Sequence, residues 1–81
     1  MARYYLHLRD GSDELLDPDG SEYASHEAMK EDVLNCARDL IAADVKRGVL
    51  DFRFRIDVED ADGAIAHTLL FKDAISVIPQ G

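Results

Sequence analysis

The chain has 81 residues, 47% of them hydrophobic, with 17 acidic and nine Lys/Arg side chains giving a formal net charge of −8. That hydrophobic share excludes a disordered chain, and the charge argues against non-specific attraction to nucleic-acid phosphates or anionic lipid. The single cysteine, Cys36, excludes an internal disulfide framework and fits a reducing compartment.

The first residues enter a strand pattern at once. Tyr4, Leu6 and Leu8 alternate with Arg3, Tyr5, His7 and Arg9, the period of a strand with one buried side. Asp10-Gly11-Ser12 ends it as a turn. Leu15 and Leu16 suggest a short second strand, stopped by Asp17-Pro18-Asp19-Gly20. Ser21 to Tyr23 either continues that strand or leads into a helix.

Ser25 is placed as an N-cap, with Glu27 in the first turn. No Pro or Gly interrupts His26 to Arg47, and Gly48 supplies a stop. Met29, Val33, Cys36, Ala37 and Leu40 form one apolar stripe, and Leu34, Ile41 and Val45 a second line beside it. Phe52, Phe54, Ile56 and Val58 then alternate with Arg53, Arg55, Asp57 and Glu59. After the turn Asp60-Ala61-Asp62-Gly63, the residues Ile65, His67, Leu69 and Phe71 alternate with Ala66, Thr68, Leu70 and Lys72. The tail from Asp73 to Gly81 suits a helical turn or a strand equally well.

This order predicts one α+β domain over residues 1–81. It is a ββαββ two-layer sandwich, with a four-stranded antiparallel sheet in the order 2-1-3-4 and one long helix on one face. The expected core is Tyr4, Leu6, Leu8, Met29, Val33, Cys36, Ala37, Leu40, Phe52, Phe54, Ile56, Leu69 and Phe71. A chain this short buries only about 60% of its unfolded surface, so association is a common supplement to its stability.

Little in the sequence carries chemistry. His7, His26 and His67 stand on different elements without zinc spacing, and read as structural or solvated. The Asp-rich turns lack the glutamate that completes a calcium loop: His26 lies six residues beyond Gly20, and Leu69 six beyond Gly63. Cys36 falls on the core stripe, where a thiol is inert. The sequence contains no Gly-x-Ser-x-Gly elbow or glycine-rich phosphate loop. No catalytic residue, metal or cofactor is assigned.

Two surfaces stand out instead. Arg3, Tyr5, His7, Arg9, Arg53 and Arg55 are expected on the sheet face away from the helix. Such a face suits protein contact, cross-strand ion pairing or single-stranded nucleic acid. Leu34, Ile41 and Val45 are the second candidate, an apolar strip for a partner. A homodimer or another protein is the expected partner, with nucleic acid bound weakly at most. No apolar run approaches a membrane span and no apolar leader opens the chain, so a cytoplasmic location is expected.

Several segments carry a family resemblance. They are Met1-Ala2-Arg3-Tyr4-Tyr5, Arg9-Asp10-Gly11, Asp19-Gly20-Ser21-Glu22, Asp60-Ala61-Asp62-Gly63 and Leu69-Leu70-Phe71-Lys72-Asp73-Ala74. Together they resemble a family of short bacterial proteins that form a domain of unknown function. The resemblance implies a single-domain fold and assigns no activity. A weaker, fold-level similarity links the pattern to small antitoxins of toxin–antitoxin pairs. The expected role is a protein-interaction or regulatory module. An antitoxin-like or nucleic-acid-associated protein is the alternative, and an enzyme ranks behind both.

Overall fold

The structure, a computed structural model, describes residues 1–80. Strand β1 spans Ala2–Arg9 and is followed by β2 (Glu14–Leu15), β3 (Ser21–Tyr23) and helix α1 (His26–Lys46). Strands β4 (Arg55–Glu59) and β5 (Ile65–Leu70) come next, and a short helix α2 (Phe71–Ala74) ends the ordered elements. Every strand pair is antiparallel. One layer is this sheet; the other is α1, with α2 packed beside it.

The sheet has five strands in the order β2-β1-β4-β5, with β3 also paired to β1, which corrects the expected four. The expected second strand is split. Leu15 faces Leu8 and Ser21 faces Tyr4, so six steps along this edge match four along β1. The two additional residues leave the ladder where Pro18 cannot donate a hydrogen bond. Asp17 repairs the gap. Its carboxylate accepts from the backbone N–H of Leu6 at 3.2 Å and of Gly20 at 3.0 Å. Gly20 has φ +69°, and a Cβ there would lie 2.8 Å from the Tyr4 carbonyl oxygen and from the Tyr5 ring.

Helix α1 begins and ends as its sequence dictates. The Ser25 hydroxyl accepts from the Ala28 N–H at 3.0 Å, and Gly48 follows the Arg47 cap with φ +87°. The buried helix residues are Met29, Val33, Ala37 and Ile41, four residues apart. Together with Ile56, Val58, Phe71 and Ala74 they form the core. Tyr4, Leu6, Leu8, Cys36, Phe54 and Leu69 are partly buried against it.

This face is rotated from the expected stripe. Ile41, expected on an exposed strip, is 5% exposed, whereas Leu40, expected in the core, is 41% exposed. The cause is the short edge: α2 and β5 cover the Ile41 side of the helix, while two-residue β2 is too short to cover the Leu40 side.

Three further expectations are corrected. Strand β4 starts at Arg55, not Phe52, because the Asp51 carboxylate accepts from both the N–H and the guanidinium of Arg53 and bends the chain; Phe52 is therefore exposed. Strand β5 ends at Leu70, and Phe71 is buried as the first residue of α2. Ile65 is 54% exposed because the register slips at the start of β5. Val58 pairs with His67 but Glu59 pairs with Ile65, so Ala66 is bulged and Ile65 moves to the other face.

Candidate functional site

The sheet face away from α1 carries a closed ion-pair network. Asp57 is central to β4 and only 7% exposed. Its Oδ2 accepts from Arg9 Nη1 at 2.9 Å and from Arg55 Nε at 3.1 Å; its Oδ1 accepts from Thr68 Oγ1 at 2.9 Å. These contacts follow from register, since His7, Asp57 and Thr68 lie side by side on three neighbouring strands. Burial pushes the Asp57 carboxyl up. The hydrogen bonds from Arg9, Thr68 and Arg55 outweigh that and hold it below the usual carboxylate range.

Arg9 also donates from Nε to Glu14 Oε2 at 2.9 Å and lies 3.9 Å from Glu59 Oε1. The Glu14 and Asp57 carboxylates hold its guanidinium above its ordinary value. A carboxylate held this way is a weak proton acceptor, so the face is built for cohesion rather than acid–base work.

The candidate residues expected here separate into three groups. Arg9 and Arg55 join Asp57, as described. His7 shares the face but is 6% exposed, buried beneath its neighbours rather than presented to a partner. Its Nδ1 accepts from the Asp17 N–H at 3.0 Å, which leaves the proton on Nε2, 3.4 Å from Glu59 Oε2. Tyr5 is half-buried against Gly20. Arg3 is exposed and donates to the Asp19 carbonyl and, at 3.4 Å, to Glu22. Arg53 is outside the strand and ion-pairs with Asp51, whose carboxyl the Arg53 guanidinium lowers to about 2. All four expected arginines thus have carboxylate partners.

The Leu34-Ile41-Val45 strip is not a surface in its own right. Ile41 is core, Leu34 packs against the core, and only Val45 is open, at 54% exposed. At the other end of α1 the rings of Tyr23, Tyr4, His26 and His67 form a chain with centroids 6.1 to 6.4 Å apart. Among the described residues, no group of three or more His, Cys, Asp or Glu side chains could hold a metal ion.

An apolar concave surface lies elsewhere. An apolar trough of about 430 Å³ runs between α1 and the β1–β2 edge. Its floor is Leu6, Leu8, Cys36 and Ile56, and its walls are Leu15, Leu16, Pro18 and Leu40. A second cleft of about 330 Å³ shares Leu8 and Leu40 and continues over Val49, Phe54 and Phe71. The one ionisable carboxyl lining the trough, Asp17, already accepts from Leu6, Gly20 and Asp19 N–H groups. Burial, then the charges of Asp32 and Asp39, push the Cys36 thiol up.

Sequence reasoning missed this trough. Its signal was the Leu15-Leu16 pair: Leu15 faces Leu8 over the helix side, and Leu16 follows before a Pro turn, with no third layer to cover either.

A family described as a domain of unknown function (DUF6894) matches residues 3–72. The chain belongs to this family. The matched span contains the whole Asp57 network and every residue lining the trough, and it ends within α2 at Lys72. No curated protein and no solved structure matches the chain. The similarity to small antitoxins therefore stays an expectation from fold pattern alone. No helix is long and apolar enough to cross a membrane, among the described residues.

Proposed function

We propose that this protein is a small cytoplasmic interaction module whose working surface is the apolar trough between α1 and the split sheet edge. The observation that carries the reading is the exposure of its walls: Leu15 at 70%, Leu16 at 51% and Leu40 at 41%. Contiguous exposed leucines around a concave floor mark a contact surface more often than solvated structure. The arginine face supports a different role. Its guanidinium groups are engaged by Asp57, Glu14, Glu22 and Asp51, so phosphate contacts would have to displace existing ion pairs against the charge of the whole molecule.

The native thiol tests this reading. Cys36 is the only cysteine and forms part of the trough floor. Its alkylation rate at trace concentration should fall several-fold in an extract of the source cells relative to buffer. Leu16→Glu should restore the buffer rate. Equal rates in extract and buffer would count against an interaction surface at the trough.

A further inference from the structure

We infer that the trough is closed by a second copy of this chain, an inference that rests on the interaction reading above and names the partner. Surface area favours this partner. A folded monomer of 9.0 kDa exposes about 4,900 Å². This chain exposes 5575 Å². The excess, about 700 Å², approaches the roughly 800 Å² that each partner contributes to a standard interface. The extended tail, with Val77 at 64% and Ile78 at 88% exposed, supplies part of that excess, and the trough walls, with Leu15 at 70%, Leu16 at 51% and Leu40 at 41% exposed, supply another part.

Charge favours it as well. The carboxylates at the trough and its continuation are satisfied within the chain: Asp17 by backbone N–H groups, Asp44 by Arg47, and Asp51 by Arg53. The trough itself therefore holds no unpaired charge to select an acidic or a basic partner. What remains is apolar area, and Leu15 and Leu16 offer a projecting apolar lip on the same molecule. A twofold axis makes lip and trough complementary, each copy's leucines filling the other's floor, as closed symmetric dimers require. Two copies of net charge −8 also repel, so this association tightens as salt screens them. Pairing to a basic partner would weaken instead.

Sedimentation equilibrium of the full chain, from low to high micromolar concentration at low and high salt, tests the inference. The expected mass rises from 9.0 kDa toward twice that value, and at lower concentration when salt is added. Leu16→Glu and the milder Leu16→Ala should both weaken dimerisation, the former by about tenfold or more. Val45→Glu, exposed on the other side of α1, should dimerise like the wild type. A wild type that stays at 9.0 kDa throughout, or a Val45→Glu change as disruptive as Leu16→Glu, overturns the second copy. Of these, a monomer whose Cys36 is still shielded in extract leaves the interaction reading standing with a different partner. A monomer with unshielded Cys36 removes both.

Discussion

Asp57 combines near-complete burial with hydrogen bonds from Arg9, Arg55 and Thr68, and this sets how single residues respond to pH. A carboxylate whose folded pKa lies below its unfolded value stabilises the fold above that unfolded value; the contribution is lost as pH falls through the folded one. Asp57, Asp17 and Asp10 are all lowered from 3.8. His67 is also lowered, from 6.5, by burial first and then by Lys30 and His26. For a histidine this means the unfolded chain binds the proton more readily, so its contribution too is lost as pH falls. Acid denaturation should therefore begin below pH 6.5 with His67 and steepen below 3.8 with the aspartates. In urea titrations across pH, His67→Gln should flatten the upper part of this decline and Asp57→Asn the lower part. At neutral pH, Asp57→Asn should cost about 2–3 kcal/mol, because it removes a charged acceptor from two guanidinium groups. A neutral-pH midpoint unchanged in Asp57→Asn would mean the network is ornamental.

Among the elements, α1 was the most legible. Ser25, the uninterrupted run to Arg47 and Gly48 place its ends within a residue of His26–Lys46. Ser25→Ala should cost about 1 kcal/mol by freeing the Ala28 N–H. The sheet edge was less legible because its geometry is decided by side chain–backbone bonds. Nothing periodic in Leu15 to Tyr23 announces that the Asp17 carboxylate will take the place of a strand carbonyl opposite Leu6. Gly20 reports on that joint. Gly63 has φ +82° and open space around its Cβ position, whereas Gly20 has φ +69° and atoms at 2.8 Å. Both Gly→Ala changes should destabilise by about 1–2 kcal/mol from the backbone conformation alone. Gly20→Ala should exceed Gly63→Ala, because the Tyr4 carbonyl and the Tyr5 ring must also move. Equal thermal midpoints for the two variants would show that the edge gives way without cost.

For the whole molecule, the layered α+β plan was readable from strand and helix periods, but the balance of covered and uncovered surface was not. The Leu40–Ile41 pair illustrates the reason. Both are apolar neighbours on one helix, and only the length of β2 and the position of α2 decide that Ile41 is core and Leu40 a trough wall. The core that results is small, and Phe71 is the largest of its fully buried side chains. Phe71→Ala should cost roughly 3–5 kcal/mol, a large part of the stability of such a domain, as read from the urea midpoint. The central claim is that the uncovered trough, not the arginine face, is the surface that meets another molecule. The most direct measurement is a dilution series of amide ¹H–¹⁵N spectra of the full chain. The resonances that shift with concentration should belong to Leu6, Leu8, Leu15, Leu16, Cys36 and Leu40, with those of Arg3, Tyr5 and Arg55 unmoved. Shifts confined to Arg3, Tyr5, Arg55 and their strand neighbours would contradict it.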